Sequence, residues 1–450
     1  MTNGRKFDRR DFLSGIGTVA VGSTLGTSPS AATENSVETS IQQAGTRYDF
    51  DTVYSRIGTN SSKWDHQISL YGREHVQVGM GTADQDFRSA PAITRALRER
   101  IQHENYGYLT TPQSYIESII NWNQRRYNLT IDPDTIRHSA GVHPAIISTL
   151  RAFCPPRSKV LVLAPSYNGF YTDIQIVDTV AEESPLQLAN GRYSIDFDDF
   201  EKRIDHDVHA FILCNPQNPT GNVWSREDLM RLGEICTRRR VVVLADEIHC
   251  DFVTTGNTYT PYATLGDDDI VRNSITYKSV SKSFNLSAMR CAYLFSTNRE
   301  YLDRISGPGQ LQQDMSTLAI IAAEAAYNES EEWLDQLIEY IDGTQSFVET
   351  FIRERIPFVN VVKPEGTYLS WLDVGEALNR TVASASTTTD ESMTREAAFQ
   401  HYLLEQANIH INPGSNYGLG GAGRMRMNIA TSRKLVEVAL TNMAHALTRA

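Results

Sequence analysis

Val241-Val242-Val243-Leu244-Ala245-Asp246-Glu247-Ile248-His249 opens with five apolar residues and ends in two carboxylates and a histidine. An apolar run this short, without polar alternation, reads as a strand covered on both faces. Two upstream runs repeat the pattern. Ala210-Phe211-Ile212-Leu213-Cys214 stops at Asn215-Pro216, and Val160-Leu161-Val162-Leu163 stops at Ala164-Pro165. Between the last two strands, residues 225–238 read as a helix with Ser225 as N-cap and Glu227-Asp228 in the first turn. Strand–helix–strand spacing with continuous apolar strands predicts a parallel sheet sandwiched by helices. Ligands of such sheets sit beyond the carboxyl ends of the strands. Tyr167, Asn218, Asp246 and His249, which follow the three runs, are therefore the first candidates for chemistry.

The next candidate is a lysine. The chain has eight, and Lys282 lies 36 residues after Asp246, in Lys278-Ser279-Val280-Ser281-Lys282-Ser283-Phe284-Asn285-Leu286. A lysine is a covalent catalyst when it forms an imine with an aldehyde cofactor. The Ser279 hydroxyl and the Arg290 guanidinium could hold a phosphate. A carboxylate at Asp246 can pair with a protonated pyridine nitrogen and keep the ring an electron sink. Asn218, in the proline-stiffened Asn215-Pro216-Gln217-Asn218-Pro219-Thr220-Gly221, could donate to a phenolic oxygen.

In this order and after these strands, the three elements resemble the fold-type I pyridoxal-phosphate enzymes of the class I/II aminotransferase superfamily, from about Arg56 to Ala446. Ser62-Lys63-Trp64-Asp65, Asp84-Gln85-Asp86-Phe87, Asp246-Glu247-Ile248-His249 and Lys282-Ser283-Phe284-Asn285 are similar to the cystathionine β-lyase, or C–S lyase, branch. Gln85 and the stretch Leu286-Ser287-Ala288-Met289 depart from its pattern. The resemblance implies an α/β fold: a large domain with a mostly parallel mixed sheet between helices, and a smaller α+β domain built from both terminal segments. The expected boundaries are 47–92 and 331–450 for the small domain and 93–330 for the large one.

The resemblance also implies roles. Lys282 is the Schiff-base lysine and proton shuttle. Asp246 pairs with the pyridine nitrogen, Asn218 and His249 lie near the ring hydroxyl, and Tyr167 stacks on the ring. Gly141, Val142 and His143 form the phosphate turn, completed by Ser279 and Arg290. Tyr108 reaches the phosphate of a neighbouring subunit, so a homodimer with shared active sites is expected. Arg426 grips the substrate α-carboxylate, with Arg424 as competitor, while Tyr167 and Asn218 also touch substrate. Gln85, Phe87, Tyr106 and Asn168 are candidates for the side-chain pocket.

The substrate class is then an α-amino acid. The branch favours α,β-elimination to pyruvate, ammonia and a thiol. Transamination or a cyclisation uses the same residues and remains the alternative, because the chemistry belongs to the cofactor. A non-catalytic regulator on this fold would have lost the lysine or gained a DNA-binding segment; Lys282 is present and no basic helix-turn-helix precedes Arg56.

The periphery adds a location. Arg9-Arg10-Asp11-Phe12-Leu13, an uncharged weakly apolar stretch over 14–26 and the small residues Ser30-Ala31-Ala32 resemble a twin-arginine export signal over 1–32, with a polar linker over 33–46. A cytoplasmic enzyme is the alternative. The five cysteines show neither CxxC nor metal-ligand spacing and read as buried small apolar residues. The helical pattern over 311–345 is expected to lead out of the large domain, and 381–396 reads as a surface loop. No later segment is long and apolar enough for stable membrane insertion. A formal charge of −12, without a basic block, argues against nucleic acid as partner.

Overall fold

The computed structural model describes residues 47–382 and 393–449. The export-signal and linker expectations, and most of the 381–396 loop, lie outside the described residues. The three apolar runs are strands Lys159–Ala164, Val208–Cys214 and Val242–Asp246. They lie side by side and parallel in a seven-stranded sheet, which Val180–Pro185 extends at one edge. Ser274–Ser279 pairs parallel with Val242–Asp246, and Ala292–Phe295 and Ile136–Ser139 complete the other edge. Only Ala292–Phe295 runs against the rest, antiparallel to both neighbours. The sheet is thus mixed and mostly parallel, as expected.

The helix between the last two central strands, Arg226–Arg239, starts where its sequence signal lies. The Ser225 hydroxyl accepts the Asp228 N–H at 3.0 Å, and the Asp228 carboxylate accepts the Ser225 N–H at 3.2 Å. This reciprocal cap satisfies donors that a helix start would otherwise leave open.

A second, antiparallel sheet of four short strands comes from the C-terminal part: Asn360–Val362, Leu369–Asp373, Arg424–Asn428 and Asn412–Pro413. The N-terminal segment pairs with the C-terminal part through Val78–Gly79, parallel to Ile409–His410 in a separate two-stranded sheet. One apolar core runs from Phe50 and Trp64 through Trp122, Phe284 and Trp333 to Leu447.

Three expectations are corrected. The 311–345 pattern is not one helix: residues 311–316 are not helical, and Thr317–Glu329 and Glu331–Arg355 are separated at Ser330. Ser316 caps the first by accepting the Ala319 N–H, and the Ser330 hydroxyl donates to the Ala325 carbonyl at the break. The boundary placed between residues 92 and 93 cuts into helix Pro91–Ile101, which begins at a proline suited to a first helical position. The 381–396 loop is also shorter than read, because Thr381 ends helix Gly375–Thr381 and Glu396 lies in helix Arg395–Ala407. All five cysteines are buried and unpaired. Among the described residues, no helix is long and apolar enough to cross a membrane.

Candidate active site

The register of the central sheet aligns the chemical residues. Cys214 pairs with Asp246 and Asp246 with Tyr277, so the segments carrying Asn218, His249 and Lys282 leave the sheet at one edge. The Tyr167 turn follows the parallel strand Lys159–Ala164 at the same edge. Ser279 lies opposite Ala292, two residues after Arg290, which has a φ of 59° and is exposed. The Ser279 hydroxyl donates to the Cys291 carbonyl at 2.6 Å and accepts the Ser281 N–H at 3.0 Å, capping the short turn that carries Lys282.

The Lys282 amine donates to the Ala83 carbonyl at 2.8 Å. Loss of hydration and the nearby Arg426 charge lower its pKa to about 8, against the pull of Asp84 and Asp246. Burial pushes the Asp246 carboxyl up to about 6, although the Ile248 N–H and the charges of His143 and Lys282 oppose it. That carboxylate accepts the Ile248 N–H at 3.2 Å. His249 is buried with its Nδ1 unpartnered, and burial holds it well below the usual imidazole range.

Arg426 reaches the site from the other sheet. It is buried, donates to the Asn218 Oδ1 at 3.0 Å and to the Gly81 carbonyl at 2.8 Å, and lies over the Tyr417 ring. Its Nε has no partner. Arg424, two residues away, is bound to Asp373 at 2.5 Å and does not compete for this place. Side chains two apart on a strand share a face, so the partners separate the two arginines: Arg424 is held by Asp373 at the start of the strand, and Arg426 by Asn218 and Gly81 further along it.

Gly141 has a φ of 145° and starts helix Val142–Phe153. A residue with a Cβ rarely adopts that backbone, and the open N–H groups of a helix start suit an anion. His143 contacts Asp173 and Tyr167. Tyr108 is the outlier, fully exposed in the 102–112 loop.

The N-terminal motifs have a joint role. Lys63 is buried and pairs with Asp86 at 2.7 Å, while the Trp64 indole N–H donates to the same carboxylate at 2.9 Å. Asp65 accepts the N–H groups of Gly58, Thr59 and Ser61. Arg56 pairs with Asp84 at 2.8 Å. These contacts fold residues 56–86 into a frame whose Ala83 carbonyl meets Lys282. Gln85 adds a second tie, donating from Nε2 to the Lys282 carbonyl at 2.5 Å.

Of the pocket candidates, Gln85 lies at the lysine, but Phe87 packs against Phe50 and Tyr340 in the core and Tyr106 is exposed against Arg100. Asn168 begins the helix after Tyr167. Sequence reasoning missed Tyr368, whose hydroxyl donates to the same Ala83 carbonyl at 3.1 Å and whose ring faces His249. An aromatic directly after Gly366-Thr367, entering a strand, was the available signal.

The residues fit a ring cofactor bearing phosphate and aldehyde. A buried carboxylate without a cation in contact, an unpartnered Arg426 Nε, an unpartnered His249 Nδ1 and a lowered amine are polar groups awaiting a ligand.

Known proteins share this fold. The cystathionine beta-lyase PatB of Bacillus subtilis (strain 168) is 36% identical over 405 residues, covering 88% of this chain and 99% of its own. A pyridoxal-phosphate-bound putative aminotransferase of Clostridium difficile 630 matches with a TM-score of 0.82 at 32% identity, covering 89% of this chain and 100% of that one. Cystalysin of Treponema denticola, which contains pyridoxal 5′-phosphate, matches with a TM-score of 0.83 at 28% identity, covering 90% and 100%. The family model for class I and II aminotransferases spans residues 75–443, and this chain belongs to that family.

Proposed function

We propose that this chain is a pyridoxal 5′-phosphate-dependent C–S β-lyase that cleaves an α-amino acid with a β-thiolate leaving group to pyruvate, ammonia and a thiol. The observation that carries the reading is the Lys282 amine, partly freed of its proton by desolvation and Arg426, at the edge where Asp246 is also buried. The preference for elimination rests on relatives named as cystathionine beta-lyase and as the C–S lyase of Staphylococcus hominis.

When bound, the cofactor supplies an electron sink that stabilises negative charge at the substrate Cα. The chain's residues do the rest. Lys282 holds the aldehyde, then takes the proton from the substrate Cα on its Nζ. Asp246 would pair with the ring nitrogen and keep it protonated. Arg426 orients the substrate through its carboxylate, held in turn by Asn218 and Gly81. Gly141, Val142, His143, Ser279 and Arg290 would hold the phosphate, Tyr167 would cover the ring, and His249 and Asn218 would serve its hydroxyl.

The assembly is a homodimer with shared sites, in which Tyr108 serves the partner's phosphate. Exposed Val53, Tyr54, Ile57, Tyr106 and Leu109 supply apolar surface for it. The 1–32 segment directs export by the twin-arginine route.

The test is product analysis of the loaded enzyme with cystathionine or cystine. Pyruvate release without added keto acid is expected. Turnover only when a keto acid is supplied would replace the lyase with an aminotransferase. Mixing inactive Lys282→Ala and Tyr108→Ala chains should restore activity if sites are shared, and no recovery would reject that arrangement. Appearance of enzyme in the cytosol alone, after fractionation, would reject export.

A further inference from the structure

Beside the site, the buried carboxylate of Asp173 has no part in the reaction just described, yet it is tied to two residues that do. His143 is the second residue of helix Val142–Phe153. Its Nδ1 lies 2.6 Å from Oδ2 of Asp173, a carboxylate 3% exposed on helix Asn168–Ile176. Its Nε2 lies 3.3 Å from the Tyr167 hydroxyl. The two rings sit 5.5 Å apart, and the far side of Tyr167 packs edge-on against Phe170. The space is made by Gly169, where a Cβ would stand 2.5 Å from Cε1 of both His143 and Tyr167. A side chain at 169 would push the two rings out of this arrangement.

We propose that Asp173 and His143 are positioning residues for Tyr167, and that the protonation of His143 decides which way the Tyr167 hydroxyl points its proton. This rests on the placing of Tyr167 over the ring under the proposed function. The logic is that of hydrogen-bond inventory. Asp173 takes the Nδ1–H in either state. When His143 is charged, Nε2–H donates to the Tyr167 oxygen, and the phenol proton is free to point at a bound ligand. When His143 is neutral, Nε2 is an acceptor, captures the phenol proton, and leaves only an oxygen lone pair facing the ligand.

Four groups act on His143. Asp173 from the neighbouring helix and Asp246 from the central strand favour the cation, Lys282 opposes it, and the Tyr167 hydroxyl faces its other nitrogen. Burial opposes the charge as well, but the two carboxylates prevail and raise its pKa above the ordinary imidazole value. Arg426 acts on Tyr167, where its charge opposes the rise that burial gives the phenol. The change of state therefore falls where a modest shift matters near neutral pH.

The experiment uses the full chain loaded with pyridoxal phosphate and labelled at histidine Cε1. Among eleven histidines, His143→Gln identifies the resonance of His143 by its loss. The expected result is a titration midpoint above 6.5 that falls by about one pH unit or more in Asp173→Asn. In parallel, KM for the amino-acid substrate should rise as pH passes upward through that midpoint. The rise should move to lower pH in Asp173→Asn and vanish in His143→Gln, with kcat following a separate profile. A midpoint that Asp173→Asn leaves in place overturns the pairing. A KM profile unchanged in both variants overturns the control of Tyr167. The titration needs no turnover, so failure of the lyase reading leaves it interpretable: a missing pyruvate signal with a shifted midpoint rejects only the reaction. Melting temperatures confirm that each variant is folded, and Asp173→Glu, which keeps the charge, should restore the midpoint if pairing is the cause.

Discussion

Lys278 and Lys282 stand four residues apart, and the fold treats them in opposite ways. Lys278 is on the last strand turn, 3% exposed, with its amine 3.0 Å from the Asn123 Oδ1 and 4.0 Å from Glu247. The Tyr127 ring lies 4.0 Å beneath the same amine. Glu247 in turn accepts the Tyr262 N–H at 2.7 Å and a hydrogen bond from the Tyr259 hydroxyl. Each charge there has a partner, which is what a buried ion needs. Lys282 has one carbonyl and a neighbouring arginine, and its pKa drops to about 8. Two lysines in one segment, Lys278 buried and Lys282 half-buried, thus separate into a scaffold and a reagent. The difference lies in the number of groups that solvate the amine, since a poorly solvated amine gives up its proton.

The largest effect that tests this contrast is loss of the reagent. Lys282→Ala should lower pyruvate release by roughly 10³-fold or more and remove the visible absorbance of the loaded protein. Its melting temperature should hold, because few contacts are lost. A retained visible band would refute the assignment. Next, Lys278→Met should cost about 3 kcal/mol in urea unfolding by leaving Glu247 without its cation, while the folded fraction keeps turnover within a few-fold. Full stability with lost turnover would exchange the two roles.

A smaller effect is expected at Asp246. Its folded pKa of about 6 exceeds the model-compound value of 3.8, so it favours the fold most at low pH and loses that contribution as pH rises through about 6. Asp246→Asn should therefore stabilise the cofactor-free chain by about 1–3 kcal/mol at pH 7, with the gain fading below pH 4, while weakening cofactor retention. A loss of stability at pH 7 would mean that the carboxylate already has a cationic partner. Smallest of all, cofactor uptake should quicken with pH and level off just above pH 8, because only the neutral amine attacks an aldehyde. Continued acceleration towards pH 10 would assign Lys282 an ordinary amine.

The strands and the capped helix were legible because their signals are local. An apolar run with a polar stop, and a Ser with Asp three residues on, act over one element. The break at Ser330 was not, since the alanine-rich stretch and the amphipathic one after it share a continuous helical pattern, and the Ser330 hydroxyl bond to the Ala325 carbonyl has no signal of its own in that pattern. Tyr368 was missed because it owes its place to the Ala83 carbonyl, 285 residues away in the chain. His143 was read as part of a phosphate turn; its bond to Asp173 crosses between two helices and depends on Gly169 having no side chain.

By itself the sequence determined the sheet, its order of chemical residues and the candidate lysine, since strand length, helix caps and motif spacing are properties of neighbours along the chain. The tertiary structure alone decided which arginine faces Asn218, which lysine is solvated by Asn123 and Glu247, and which hydroxyl His143 meets. Those outcomes turn on desolvation and on hydrogen bonds of a few ångströms between distant segments, and no local pattern encodes how many polar atoms surround a buried charge.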